Sequence, residues 1–150
     1  MPPDTELALQ RLLDEAEIRE LMLTFARGLD ERDWDAYAGT FAEDGAFEIM
    51  GQRRVGRSDI AAGPARDLTQ FDRTQHYSTN HRIEIYGDRA AASHYLLAVH
   101  VPDAGKPSEH ADVGGRYVCE CRRTSEGWRF SEVKLEIWWT RGIEFEIEHA

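Results

Sequence analysis

Phe71-Asp72-Arg73-Thr74-Gln75-His76-Tyr77-Ser78-Thr79-Asn80-His81-Arg82-Ile83-Glu84-Ile85-Tyr86 marks the point where this chain changes periodicity. Downstream of Phe71 the pattern repeats every 2 residues, the period of half-buried strands. Strands are predicted at about 74–86, 89–101, 112–123 and 127–138. Hairpin turns are expected at Tyr86-Gly87-Asp88-Arg89 and Ser125-Glu126-Gly127, and a longer loop from Pro102 to Asp112. One problem sits inside the opening stretch. Strict alternation puts His76 with Arg82 and Glu84, opposite Ile83 and Ile85, the better core residues. A β-bulge near Thr79-Asn80 would exchange the faces and turn His76 inward.

Upstream of the change the pattern is helical. Leu7, Leu12, Ile18, Leu21, Met22, Phe25 and Leu29 recur near 3.6 residues. They predict a helix from about Thr5 to Gly28, started by Asp4 or Thr5 and stopped by the glycine. Asp33 suits the N-cap of a short helix carrying Trp34, Tyr37 and Phe41. Ala46–Met50 reads as a strand, with a turn at Gly51-Gln52. Ser58 suits the cap of a third helix, interrupted near Gly63-Pro64. The tail Ile143–Glu148 alternates apolar and acidic residues and suits an edge or a lid. Helices first and antiparallel strands after them make an α+β domain over 1–150. A curved sheet wrapped on its helices leaves a pocket.

The 150 residues carry a formal net charge of −10, which excludes a phosphate-binding face and so a nucleic-acid partner. An anionic membrane surface is disfavoured for the same reason. The N-terminus has no basic region followed by an apolar stretch, and no apolar run approaches a membrane span. Cys119 and Cys121, two apart on a strand, share a face and do not suit a mutual disulfide. They read as free thiols in a reducing cytosol, so a cytoplasmic location is expected. No three-ligand metal cluster is visible.

Two residues carry the chemistry. Asp30 stands where the long helix ends, and His76 where the strands begin. A carboxylate that orients an imidazole makes a general base. A carboxylate at a helix C-terminus is electrostatically unfavourable, which favours a partner for Asp30. The competing readings are helix-end capping for Asp30 and a hydrogen-bonded core histidine for His76. His94 and His100 share parity with Ala90, Ala92, Leu96 and Ala98; small residues beside histidines suit a pocket wall or close packing against a second subunit. Trp34, Tyr37, Trp128, Trp138 and Trp139 are core and interface aromatics, with Trp138 among the candidates for the pocket. Arg53-Arg54 and Arg122-Arg123 read as solvated edges. His110 and His149 read as surface residues.

Four motifs in order, Leu29-Asp30-Glu31-Arg32-Asp33-Trp34-Asp35, Phe41-Ala42-Glu43-Asp44-Gly45, Thr74–Asn80 and Gly127-Trp128-Arg129-Phe130, resemble the SnoaL-like family of the nuclear transport factor 2-like superfamily. The resemblance implies a cone of curved, mixed or antiparallel sheet closed by N-terminal helices. It also implies kinship with scytalone dehydratase, hexachlorocyclohexane dehydrochlorinase and bile-acid 7α-dehydratase. By position Asp30 and His76 match the Asp–His pair of those enzymes, and His100 matches a second histidine. Leu29 and Phe47 or Ile49 replace two tyrosines of scytalone dehydratase; Val133 replaces an arginine of the dehydrochlorinase. The implied activity is a cofactor-independent elimination on a small polyketide-like, aromatic or alicyclic compound. His76 is the base, and His100, with Tyr77, Tyr95 or Tyr117, donates a proton. A cyclase, an isomerase and a non-catalytic ligand-binding or subunit-association module are the alternatives. Large apolar residues at both parities of strands 89–101 and 127–138 predict self-association, as a trimer or otherwise a dimer.

Overall fold

Acidic Asp4 and Glu6 in the first turn suit the start of α1 (Pro3–Glu31) in the computed structural model, which describes residues 3–145. Its buried stripe is Ile18, Leu21, Met22, Phe25 and Leu29, while Leu7 and Leu12 are exposed. The helix therefore buries its apolar side chains only through its second half. It also runs past Gly28. Arg32 takes the left-handed conformation (φ 61°) and the Asp33 N–H returns to the Gly28 carbonyl, a Schellman-type end. Gly28 serves another purpose: a Cβ there would lie 2.8 Å from Tyr37 Cβ, so the glycine lets α2 (Trp34–Gly39) cross closely. Asp33 caps α2 as predicted, accepting from the Ala36 N–H at 2.9 Å. Phe41 lies beyond the helix, in β1 (Phe41–Ile49).

The first hairpin turns at Met50 and Gly51, both at positive φ, one residue earlier than expected. It leads into β2 (Gln52–Val55), too short and polar to read as a strand from sequence. Gly56, rather than Ser58, precedes α3 (Arg57–Asp67), and the helix continues through Pro64 into a 3-10 turn at Leu68–Gln70. The four long strands follow: β3 (Arg73–Tyr86), β4 (Arg89–Val101), β5 (Ala111–Thr124) and β6 (Gly127–Gly142). The sheet is open and mixed, in the order β2-β1-β6-β5-β4-β3, with β1 and β6 parallel and the other neighbours antiparallel. The bulge is present. Between the pairs Thr79–Tyr95 and Arg82–Ser93, β3 holds one residue more than β4, and Asn80 has φ 54°. Before it His76 pairs with buried Ala98; after it Ile83 pairs with buried Ala92.

The core lies between the concave face of the sheet and α1 and α2. Phe25 is its centre, touching the rings of Tyr37, Phe41, Phe47, Tyr117 and Phe130 at 4.8–6.3 Å. Trp128 is fully buried; its Nε1 donates to Asp14, and the Arg123 guanidinium lies over its ring. Arg123 also binds both Asp14 carboxylate oxygens at 2.9 Å, so it is a structural tie and not a solvated edge. Arg53 and Arg122 do lie at the surface, paired with Glu132 and Asp44. Cys119 and Cys121 are free and buried. On the convex face, Tyr77, Leu97, Gly114 and Trp139 form one row across four strands, and Tyr95 packs edge-on against Trp138 at 5.3 Å. These large apolar side chains are exposed.

Gly28→Ala tests the crossing. Alanine favours a helix by about 1 kcal/mol over glycine, but overpacking costs about 1–3 kcal/mol. With backbone and Cβ of Tyr37 within 3.0 Å, the clash wins. Urea unfolding should show Gly28→Ala less stable than the parent. Gly39→Ala, whose Cβ meets open space, should be neutral or stabilising.

Candidate active site

Asp30 sits in the last turn of α1, where the dipole disfavours a carboxylate. Three hydrogen bonds from β3 hold it. The Thr74 hydroxyl donates to Oδ1 at 3.0 Å and the His76 backbone N–H to Oδ2 at 2.9 Å; His76 Nδ1 lies 2.6 Å from Oδ1. Burial pushes the carboxyl pKa up, but the hydrogen bonds and the nearby imidazole bring it below its ordinary value. The carboxylate is therefore charged, an acceptor only, so the proton of the short contact rides on His76 Nδ1. That tautomer leaves Nε2 with its lone pair. The His76 side chain is 7% exposed.

Arg32 was not foreseen from sequence. One of its terminal nitrogens donates to the Leu29 carbonyl at 2.6 Å and to Thr74 Oγ1 at 2.9 Å; the other reaches the carbonyls of Leu68 and Phe71 at 3.3 Å. Thr74 thus accepts from Arg32 and donates to Asp30. The available signal was a long basic side chain at a helix C-terminus, able to satisfy the last carbonyls.

His76 opens on a cavity of ≈ 130 Å³. Leu29, Phe47, Ile49, His100 and Tyr117 line it, joined by Phe25, Tyr37, Leu96, Ala98, Val113 and Phe145, and on the α3 side by Gln52, Arg54, Pro64 and Asp67. Arg54, expected at a solvated edge, is a wall residue paired with Asp59. Four expected lining residues are elsewhere. Tyr77, Tyr95 and Trp138 are on the convex face, because their positions have the outward parity of the sheet. Val133 is buried deeper on β6; Leu135 and Ile137 are that strand's wall positions.

The His100 ring meets His76 edge-on at 5.5 Å, between Phe71 at 5.0 Å and Phe145 at 5.1 Å. Burial drives its pKa down to about 4, so it is neutral. Its Nδ1 lies 3.2 Å from the Ala111 carbonyl, which only accepts, so Nδ1 carries the proton. Nε2 is then an acceptor. The proton-donor role expected of His100 is not open to this tautomer.

His94 belongs to a second interior cluster. Its ring stacks on Tyr117 at 4.8 Å, and Ser78 Oγ lies 2.7 Å from its Nδ1 and 2.8 Å from His81 Nε2. It backs a wall residue from inside the fold. Burial lowers its pKa to about 3. His110 is half-exposed and pairs with Asp112; His149 and the tail beyond Phe145 lie outside the described residues. Among the described residues no three His, Cys, Asp or Glu side chains are grouped to hold a metal.

Helices on an open, six-stranded mixed sheet, with an apolar pocket between them, define the nuclear transport factor 2-like class of fold. Residues 10–134 match the SnoaL-like domain, and the chain belongs to that family. No curated protein matches the chain in sequence. Among solved structures it is similar to a candidate aromatic ring hydroxylase from Novosphingobium aromaticivorans, 28% identical, over 88% of this chain and 94% of that one (TM-score 0.78). A candidate scytalone dehydratase from the same organism is 20% identical, over 91% and 92% of the two chains (TM-score 0.80). A hexachlorocyclohexane dehydrochlorinase is 21% identical, over 95% and 97% (TM-score 0.81). These last two share the fold. Among the described residues no helix is long and apolar enough to cross a membrane.

The two buried histidines contribute to the acid response. Each is neutral when folded, at about 3 for His94 and about 4 for His100, against an ordinary value of 6.5. Below 6.5 the unfolded chain binds protons that the fold refuses. Their stabilisation is therefore whole above pH 6.5 and falls as pH drops towards 4, by about 1.4 kcal/mol per pH unit for each histidine. Asp30, with its lowered value, acts only at lower pH, its stabilisation being lost as pH falls through its folded pKa. His81, also lowered by burial and by the charge of Arg19, adds to the loss; urea unfolding between pH 6.5 and 4 should show the slope, and His94→Gln should remove part of it.

Proposed function

We propose that this protein is a cofactor-independent lyase of the dehydratase type, acting on a small, largely apolar aromatic, alicyclic or polyketide-like substrate. The observation that carries the reading is the hydrogen-bonded Asp30–His76 pair opening on an apolar cavity. His76 Nε2 removes a proton from a carbon next to an activating group. Asp30 fixes the tautomer and stabilises the imidazolium. The C–H electron pair becomes the new double bond, and the C–O bond to the leaving hydroxyl breaks. The imidazolium then returns its proton to that oxygen, and water leaves. His100 Nε2, an acceptor 5.5 Å away between ring centres, takes a hydrogen bond from the substrate hydroxyl and holds it beside His76. With His100 unable to donate, one base both removes and returns the proton. A double-bond isomerase needs the same act at a second carbon and is the second reading.

The exposed row Tyr77, Leu97 and Trp139, with Tyr95 and Trp138 beside it, supports self-association through the convex face. Light scattering at micromolar concentration should give a mass at least twice 17.2 kDa, and Leu97→Glu should lower it towards the monomer. The free buried thiols support a cytoplasmic location.

Kinetics on a panel of β-hydroxyketones, followed by loss of water, tests the chemistry. His76→Ala and His76→Gln should lower turnover by about 10²–10⁴-fold, roughly 3–5 kcal/mol of barrier, with the fold intact. Asp30→Asn should also cut it strongly, and His100→Ala less. A His76 variant with the parent's rate would sink the mechanism.

A further inference from the structure

Among the cavity's polar wall residues, two phenols are buried and have no role in the elimination. Tyr37 is 1% exposed and Tyr117 4%, and both are wall residues. Neither hydroxyl has a hydrogen-bond partner among the described residues. Among the described residues the buried side-chain polar atom that is both unpartnered and sealed is Arg129 Nε, outside this cavity. The two phenol hydroxyls are therefore unpartnered yet reachable, and the space they reach is the cavity.

Packing alone does not ask for them. The Tyr37 ring lies against Phe25 at 4.8 Å and Phe41 at 6.0 Å; the Tyr117 ring lies against Phe25 at 5.0 Å and His94 at 4.8 Å. Phenylalanine would make the same contacts without desolvating a hydroxyl. Both phenols flank one ring, Phe25, both line the same cavity, and the Tyr117 phenol feels the charge of Tyr37. Burial raises both phenol pKa values, so each keeps its proton and can donate. The charge of Arg54 acts on Tyr37, and that of Asp30 on Tyr117.

We propose that the Tyr37 and Tyr117 hydroxyls form a paired donor site for a carbonyl oxygen of the substrate, which selects a β-hydroxy carbonyl compound over a haloalkane. The proposal rests on the lyase reading for its chemistry, not for its binding. The base and the Tyr117 donor come from different strands of the sheet. His76 pairs with Ala98, Ala98 pairs with Val113, and Tyr117 is four residues beyond Val113 on the same strand, about 13 Å along it. Both side chains are wall residues of the one cavity, so base and donors face the same bound compound. When His76 Nε2 takes the α-proton, the C–H pair forms the enolate double bond and the carbonyl π pair moves to oxygen. The two O–H groups meet that charge where it develops. The oxygen pair then re-forms the carbonyl, the β C–O bond breaks, and hydroxide leaves as water with the proton from His76. A haloalkane offers no oxygen to receive these donors.

The test is binding of 4-nitrophenolate, a planar oxyanion, against nitrobenzene, which lacks only that oxygen, both followed by titration. The parent should prefer the phenolate. Tyr37→Phe and Tyr117→Phe should each weaken phenolate binding by about tenfold or more, leave nitrobenzene within about twofold, and keep or raise the melting temperature. His76→Ala should retain the preference. A parent without the preference overturns the proposal. So does phenolate affinity unchanged in both tyrosine variants, an equal loss for nitrobenzene, or a fall in melting temperature marking the hydroxyls as structural. If the tyrosine-dependent preference holds but no β-hydroxyketone is dehydrated, the lyase reading fails and the donor site stands.

Discussion

One extra residue in β3, between Thr79 and Arg82, decides which face of the sheet carries chemistry. A strand alternates, so without that residue Thr74, His76 and Ser78 would share a face with Arg82 and Glu84. With it they share the concave face with Ile83 and Ile85. The apolar half of β3 can then serve the core while the polar half serves Asp30. A bulge also bends its strand, and a bent sheet leaves room between itself and α1. The inward imidazole and the cavity it faces therefore share a cause.

Asp30 is the costliest placement in the site. It stands at the negative end of a 29-residue helix and is partly buried. The cost is offset by three hydrogen bonds from β3 and by the guanidinium of Arg32. Arg32 itself takes a left-handed conformation that glycine would adopt more cheaply. Glycine, however, could not reach Thr74 or the carbonyls of Leu68 and Phe71. One residue ends the helix and ties that end to the sheet and to the segment before β3. The backbone strain is the local cost of orienting the carboxylate.

The long strands were legible to within a few residues because alternation over 13 to 16 residues is a strong signal. The Asp30–His76 contact was legible because a carboxylate at a helix end needs a partner and the family motif names one. Other features were not, for identifiable reasons. Gly28 was read as a stop because glycine suits positive φ, whereas here it admits Tyr37. β2 was missed because Gln52-Arg53-Arg54-Val55 has no apolar run. Tyr77, Tyr95 and Trp138 suit a pocket by residue type, but the outward parity of their positions exposes them. Arg32 and the second cluster of Ser78, His81 and His94 depend on contacts between elements, which spacing does not encode.

Environment separates the roles of two identical side chains. The His76 and His100 rings are 5.5 Å apart and border the same cavity. His76 gives its Nδ1 proton to a carboxylate; His100 gives its own to a peptide carbonyl. A carboxylate stabilises an imidazolium far more than a carbonyl does, and burial with His76 close by keeps His100 neutral. A proton arriving from a substrate therefore has one favourable destination. A charge on His76 disfavours a second charge on the ring beside it, so His100 stays neutral. Asymmetry in the hydrogen bond that each Nδ1 makes is enough to give the two rings different affinities for a proton without any difference in residue type.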